Sequence, residues 1–527
     1  METTLLHHCL EKAADLYPEK EALTTESARV TYAEFLQKAK KLAQAFLELG
    51  VEKGDRVAVL MPTSIEYIYT YMAASMVGAI LVGINPNYKG PEIAYILNNS
   101  MPRVLIMKDK HRDVDLQKVI REHIFPGVIP YIVIQNTQQK KKFLIRRAVA
   151  FETLMDMESQ FDEQALSERG ETITPHDGVL VIYTAGIMGK PKGVVLTHTN
   201  ILTTTLAQAQ YWEIVPEDRI LLHLPMSHIG GAVELFITGL TAGATQDVMS
   251  HFNPLDALKR IKNEKITVLG QVPTMYVMMF NAPGFEHYDL TSLRMLAVAG
   301  APSTREIIEK MSQVIDGPIR TGYGLSETAG FVTHSLTADP PQKLYETVGK
   351  PVPAFQFRIV DEERKELPGG ETGEVAIKGD CVFKEYFEQP VETEKSIDPE
   401  GWFYTGDMGF FDQDGYLVLR GRKKDMMITG GFTVFPQEIE DKLNRHPQIQ
   451  MAAVCGVPDP VLGEIGRAFV VPQPGKIFKQ SEIIDYLGQY LADFKIPRQF
   501  SFRDSLPLTP TGEVEKRILQ EEIANQG

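Results

Sequence analysis

Apolar positions recur at helical spacing over residues 32–49, and short β-branched runs follow at 56–60, 103–106 and 131–134. That alternation of amphipathic helices with strands reads as α/β. Residues 67–87 carry no charge and are long enough to span a bilayer. Hydroxyls and small side chains dilute the first half, and Gly78 stands where a helix would turn into a short apolar strand, so a buried helix–strand unit is expected. After about Gly409 the texture shifts to short strands and tight turns, with Asp414-Gly415 marking a hairpin. A smaller unit begins near Lys424, with a helix expected at 436–445, a strand at 452–457 and a helix at 481–491. The expected organisation is a large N-terminal domain of α/β subdomains, 1–423, and a small C-terminal α+β domain, 424–527.

Composition narrows the function classes. With 54 basic and 69 acidic side chains the net charge is −15, which argues against general nucleic-acid binding while leaving room for a local anion site. The basic run at 140–147 is the one local charge block, and it is expected to be a solvated face that could also meet an acidic membrane surface or a partner. Cys9, Cys381 and Cys455 are too far apart in sequence for a disulfide framework or a CxxC metal site, and the reducing cytoplasm is the expected compartment. The first residues include Glu2 and Glu11 and lack the basic start and continuous apolar core of a signal peptide, so neither secretion nor a transmembrane segment is expected.

Candidate chemistry begins at a strand over 178–183 that leads into TAGIMGKPKGVVLTH, residues 184–198. Glycines at 186, 189 and 193 let backbone N–H groups converge on anionic oxygens, and Lys190 and Lys192 supply charge. The loop fits neither GxxxxGK followed by Ser or Thr nor GxGxxG after a first strand. Further on come PMSHIGG (225–231), VAGAPS (298–303), TGYGLSET (321–328), YTGDMG (404–409), GRKKDMMITGG (421–431) and PLTPTG (507–512).

Taken in this order, the motifs resemble the adenylate-forming, AMP-binding superfamily, and within it the acyl-CoA synthetase and fatty-acid–CoA ligase branch. The resemblance runs from about Leu10 to Leu519. It implies a two-step reaction in which a carboxylate attacks the α-phosphorus of ATP to give acyl-AMP and pyrophosphate, and the thiolate of coenzyme A then displaces AMP. It also implies site residues. Thr184, Gly186, Gly189 and Lys192 would serve the phosphates; Gly300, Ala301, Pro302, Gly322, Tyr323, Gly324 and Ser326 the adenine side; Asp407 the ribose; and Arg422 ribose or phosphate. Glu327 would hold Mg²⁺. His228, Gly230 and Gly231 would line the acyl side, with His228 able to gate it. Lys424 would be the hinge of a mobile C-terminal domain, and Gly430 and Gly431 would line the coenzyme A tunnel. Small residues at 230–232 leave room for a long or bulky acyl group, so an aliphatic or alicyclic acid is expected.

The chain departs from the family pattern most strongly in two places. The phosphate loop, usually Ser or Thr followed by SGTTGxPKG, here has Ala185, Ile187 and Met188 where three hydroxyls are usual. The C-terminal motif PxTxxGK ends on Glu513 in place of the catalytic lysine that bridges the substrate carboxylate and phosphate. Two unit charges about 4 Å apart interact by about 4 kcal/mol at an effective dielectric near 20, so a reversed sign slows adenylation by orders of magnitude. Lys516 could replace the lost charge only through a register shift. Thr433 for Asn and Glu385 for Gly are milder departures.

Both losses fall on adenylation, while the thioester-forming elements match. The expected function is therefore an acid–thiol ligase that forms an acyl-CoA thioester through an acyl-adenylate, with adenylation impaired. The alternatives are an enzyme that transfers a preformed acyl-adenylate, made by a separate adenylating enzyme, to coenzyme A, and a nucleotide- or acyl-binding pseudoenzyme. Expected small molecules are a carboxylic acid or its adenylate, ATP, Mg²⁺ and coenzyme A; a homodimer is compatible with the chain.

Overall fold

Thr31 opens the first long helix, Tyr32–Glu48, by a reciprocal cap: Glu34 N–H donates to Thr31 Oγ1 at 3.2 Å and Thr31 N–H to the Glu34 carboxylate at 2.8 Å. This computed structural model describes residues 4–135, 143–146, 148–156, 163–184, 191–476, 479–509 and 512–525. The uncharged stretch at 67–87 holds most of the helix Ile65–Met76 and the strand Ile80–Ile84, joined at Gly78 with φ 71°. Every residue from Tyr67 to Met76 is buried, which explains its apolar texture without a membrane. Among the described residues no helix is long and apolar enough to cross a bilayer. Residues 140–142 and 147 of the basic run lie outside the described residues.

Among the described residues, two large sheets face one another across a shared helical layer. In the eight-stranded sheet, Gly178–Thr184, Ile80–Ile84, Arg56–Leu60, Val104–Lys108, Tyr131–Gln135 and Val149–Ala150 run parallel, and Lys192–Thr197 and Glu385–Tyr386 add an antiparallel edge. The seven-stranded sheet runs Ile319–Arg320, Met295–Val298, Val268–Gln271, Arg219–Leu222, Thr245–Val248, Glu21–Thr24 and Arg29–Thr31, parallel up to its last pair. One continuous core joins both sheets to the helices Tyr32–Glu48, Ile65–Met76 and His198–Tyr211. Separate cores lie on the outer faces. Parallel strands covered on both faces read as unbroken apolar runs, as Ile80–Ile84 does here, whereas Thr245–Val248 carries Gln246 and Asp247.

An antiparallel sheet of Gln356–Val360, Gly373–Lys378, Phe403–Phe411 and Leu417–Arg422 follows. The one-turn helix Lys423–Asp425 then leads into the last unit. There Met427–Thr429, Phe432–Val434, Ile449–Asp459, Gly463–Pro472 and Gln499–Phe502 form one sheet, packed with the helices Pro436–Asn444, Gln480–Leu487 and Lys516–Ala524. The fold is mixed α/β, with a large N-terminal part and a small C-terminal one.

Candidate functional site

The loop after the seven-stranded sheet places the candidate metal ligand. Gly322–Leu325 pairs with Gly330–His334 so closely that a Cβ on Gly322 would lie 2.7 Å from the Thr333 carbonyl oxygen and one on Gly324 2.1 Å from that of Gly330. Between these strands Ala329 is held at φ 53°, a left-handed conformation that costs a non-glycine residue about 1–2 kcal/mol. Its carbonyl accepts a 2.8 Å hydrogen bond from Thr204 Oγ1, and such strain persists where neighbours hold it in place. Ser326 is buried at the head of this turn. Glu327 is fixed from the next sheet edge: Phe383 N–H donates to its carbonyl at 2.9 Å, and the Tyr386 hydroxyl to its carboxylate at 3.0 Å. Burial raises the Glu327 carboxyl, opposed by the Tyr386 hydrogen bond and the charge of Arg422.

Asp407 sits across the cleft on Phe403–Phe411 and accepts two contacts, 2.6 Å from the Tyr323 hydroxyl and 2.9 Å from Arg422 Nε. Burial raises its carboxyl, and Arg422 and Tyr323 oppose the rise. Arg422 in turn is raised chiefly by Asp407, with Glu327 and Glu513 also in electrostatic reach. Gly300, at φ 83°, with Ala301 and Pro302, follows the strand Met295–Val298 at the rim.

On the opposite wall, residues Gly230–Ile237 form a π-helical segment, a rare geometry that recurs at functional sites. His228 Nδ1 accepts from Gly230 N–H at 3.1 Å, and burial lowers the imidazole to about 4. A neutral ring that accepts at Nδ1 carries its proton on Nε2, so His228 can donate from that nitrogen. A Cβ on Gly230 would meet Leu224, His228 and Glu234. Gly231 has a different reason to be small. A Cβ there would lie 2.3 Å from the Pro225 carbonyl oxygen and 2.6 Å from that of Leu224, so the missing side chain serves backbone packing and does not open acyl space.

Thr184 and Lys192 are paired at the ends of two antiparallel strands. The loop between them, with Gly186, Gly189, Ile187 and Met188, lies outside the described residues. Lys192 Nζ forms a 2.7 Å ion pair with Glu392 and stands 4.5 Å from the centre of the Tyr386 ring. These contacts, which the sequence motifs did not reveal, place Lys192 over Tyr386, the side chain that holds Glu327.

At the C-terminal motif, whose residues 510–511 lie outside the described ones, Glu513 N–H donates to Thr509 Oγ1 at 3.1 Å and Gly512 N–H to the Thr509 carbonyl at 2.9 Å. The turn docks on the large domain, where Thr274 Oγ1 donates to the Gly512 carbonyl at 3.2 Å. Glu513 Oε1 lies 3.8 Å from the point where a Cβ on Gly300 would sit. Its side chain is exposed to solvent yet crowded by protein, and that crowding raises the carboxyl, with Arg422 opposing and Asp407 reinforcing the rise. Lys516 points elsewhere: its Nζ makes a 2.8 Å ion pair with Glu440, whose Oε1 also accepts from Val454 N–H at 2.6 Å. A register shift that delivers Lys516 to the cleft would break that buried arrangement.

Gly430 and Gly431, at φ 58° and 86°, are the two-residue turn between Met427–Thr429 and Phe432–Val434. Both are exposed, and among the described residues nothing beyond its chain neighbours lies within 4 Å of a Cβ placed on Gly431. Lys424 is exposed within the turn that enters the C-terminal unit. Thus Glu327, Tyr323, Asp407, Arg422, Gly300 and Glu513 converge on one cleft with His228 in the adjoining wall, while the glycine turn faces solvent. Glu234, Tyr386, Glu392 and Thr274 were not singled out by the motifs. A lone acid in the apolar run GGAVELFI was the one signal that could have drawn attention to Glu234.

Residues 10–387 match the family described as AMP-binding enzyme, and residues 438–513 match its C-terminal domain. The long-chain-fatty-acid–CoA ligase of Bacillus subtilis (strain 168) is 33% identical, covering 99% of this chain and 95% of its own. A 3-[(3aS,4S,7aS)-7a-methyl-1,5-dioxo-octahydro-1H-inden-4-yl]propanoyl:CoA ligase of Mycobacterium tuberculosis (strain ATCC 25618 / H37Rv) is also 33% identical, covering 97% of each chain. Among solved structures, the anthranilate CoA ligase AuaEII in complex with anthranoyl-AMP superimposes with a TM-score of 0.87 at 25% identity, over 99% of this chain and 98% of that one. The chain belongs to the AMP-binding enzyme family and has its adenylate-forming fold.

Proposed function

We propose that the protein is an acid–thiol ligase that forms an acyl-CoA thioester by way of an acyl-adenylate, and that its own adenylation step is crippled. The observation that carries this reading is the placement of Glu513 beside Gly300, Arg422 and Asp407, with its turn pinned by Thr274. The turn docks in the cleft, but the side chain delivered there is an acid.

In the first half-reaction a carboxylate oxygen of the acid bonds to the α-phosphorus of ATP, and the bond to the β-phosphate oxygen breaks, releasing pyrophosphate. Two anions must approach, so fixed positive charge lowers the barrier. Among the residues of this cleft Arg422 supplies such charge, but Asp407 already holds it at 2.9 Å. Glu513 adds a carboxylate that opposes the approach when ionised. A protonated Glu513 removes the repulsion but supplies no positive charge.

In the second half-reaction the thiolate of coenzyme A attacks the acyl carbon, a C–S bond forms, and the C–O bond to AMP breaks. This step needs the adenylate oriented and the carbonyl polarised, with no cation at position 513. Asp407 has lone pairs beyond those used by Tyr323 and Arg422 and would accept from ribose hydroxyls. His228, donating from Nε2, would bond the acyl carbonyl oxygen. Glu327 fits a Mg²⁺ site completed by phosphate oxygens, because this ion is commonly held by one or two carboxylates together with phosphates. Among the described residues no cluster of three or more His, Cys, Asp or Glu side chains could hold a metal unaided.

Exposed apolar side chains beside the glycine turn support a second docked state of the C-terminal unit. Ile428, Phe432 and Val461 are 43%, 56% and 86% exposed on one part of its surface. Rotation about Lys424 would bring this face and the Gly430-Gly431 turn to the cleft in place of Glu513.

Installing the missing charge tests the reading. Glu513→Lys is expected to raise acid-dependent pyrophosphate release roughly 100-fold or more, since charge effects of several kcal/mol are involved. No gain with any acid that the protein binds would shift the defect to the phosphate loop or refute it.

A further inference from the structure

The wall that carries His228 holds a carboxyl group that the two half-reactions leave without a task. Glu234 is the only charged residue between Gly230 and Leu240. Its Oε2 lies 3.6 Å, and His228 Nδ1 3.4 Å, from the same point, the place of a Cβ on Gly230. From the other side, its Cγ and Oε1 lie 3.3 and 3.8 Å from the place of a Cβ on Gly330, three residues past Glu327. Glu234 therefore spans two side-chain-free positions, one beside His228 and the other on the Glu327 loop.

The Glu234 side chain is half-buried, and its carboxylate is not engaged by any described residue. Among the described residues it has no hydrogen bond and no ion pair. Gln208, on the helix His198–Tyr211 packed against this segment, donates to the Glu234 backbone carbonyl at 2.8 Å and accepts from Thr238 Oγ1 at 3.2 Å, so its amide is already used. Burial alone raises the Glu234 carboxyl, to about 8, with no charged neighbour contributing. Its neighbours along the segment, Val233, Leu235, Phe236 and Ile237, are buried and apolar. A polar group that its surroundings strip partly of water and leave without a protein partner is destabilising, and a ligand that bonds it recovers that loss.

We propose that Glu234 sets acyl specificity, receiving a hydrogen-bond donor, a hydroxyl or amino group, carried on the body of the acyl chain. The inference rests on the acyl-adenylate reading, and it revises the expectation of a plain aliphatic acid drawn from the small residues at 230–232. Gly230 and Gly330 leave the space in which the donor reaches the carboxyl.

The test uses full-length protein and pairs of non-hydrolysable acyl-sulfamoyl adenosines of equal chain length. Members of a pair differ only in a hydroxyl or amino group placed at successive carbons. Calorimetry on the wild type is expected to show at least one donor-bearing analogue bound roughly tenfold or more tightly than its plain partner. Glu234→Leu abolishes that preference, and Glu234→Gln, which can still hydrogen-bond, keeps most of a hydroxyl preference. Thermal denaturation reports that both variants fold. A hydroxyl preference marks the neutral acid as the partner, an amino preference the carboxylate, and either supports the proposal. Plain analogues bound as tightly as every donor-bearing one, or a preference that survives Glu234→Leu, overturns it while leaving the adenylate reading standing. If no analogue binds, the adenylate reading falls and this inference falls with it.

Discussion

Burial moves Glu234 from an ordinary value of 4.5 to about 8, and a shift of that kind makes stability depend on pH. The folded-state value lies above the unfolded one. The associated stability is therefore fully present below about 4.5 and is lost as pH rises through about 8. The penalty at the top of this window is on the order of 3 kcal/mol. Glu234→Gln removes the titration, so its melting temperature is expected to exceed that of the wild type by more at pH 8 than at pH 5. A gap that does not change with pH would show that Glu234 is not held in this environment. Glu513 behaves differently because its side chain reaches solvent. Its carboxyl is raised, so nucleotide binding is expected to tighten as pH falls towards the carboxylate range, and Glu513→Gln should reduce that pH dependence, as measured by titration calorimetry with ATP. Equal pH dependence in both proteins would place the repulsion elsewhere. The sequence identified Glu513 because a motif made its absent lysine conspicuous. It passed over Glu234 because the residue's meaning lies in two distant glycines and a helix, which only the fold brings together.

Among the elements, those governed by local chemistry were legible. The helix Tyr32–Glu48 begins at a capping box written in consecutive residues, and the strand Arg56–Leu60 coincides with its β-branched run. Elements governed by partners were less so. The strand expected at 452–457 extends over Ile449–Asp459, because pairing with Gly463–Pro472 continues past the apolar residues. The helix expected at 481–491 ends at Leu487, where Gly488 follows and Leu491 packs from a turn. The π-helical segment at 230–237 left no distinctive periodicity, so its glycines read as acyl space although the Gly231 site is filled by backbone. Two predictions belong at this scale. Lys516→Met removes one partner of the ion pair with Glu440 and is expected to lower stability by about 3 kcal/mol in denaturant melts. It should leave ATP affinity unchanged, and a selective loss of that affinity would reinstate Lys516 in the cleft. Gly431→Trp places a bulky side chain at φ 86° on an exposed turn, with a local cost of about 1–2 kcal/mol. If the turn lines the coenzyme A channel in the proposed second docked state, thioester formation from a supplied acyl-adenylate is expected to fall at least tenfold with nucleotide binding intact. Unchanged turnover would remove Gly431 from the coenzyme A path.

At the scale of the whole molecule, the two sheets and their shared helical core form a scaffold, and the smaller C-terminal unit docks one face on it. The face docked here carries Glu513; the other carries Gly430, Gly431 and an apolar surface open to solvent. The order of motifs revealed this division because it follows the order of the domains, but the face presented depends on contacts such as Thr274 with Gly512. The central claim is that the second half-reaction survives while the first is crippled. It is tested most directly by measuring acyl-CoA formation with purified wild-type protein in two arms, free acids with ATP and Mg²⁺, and the matching synthetic acyl-adenylates without ATP. The account predicts rapid product from the adenylates and at least 100-fold slower product from the free acids. Equal rates in the two arms, or no product from any adenylate that binds, would contradict it.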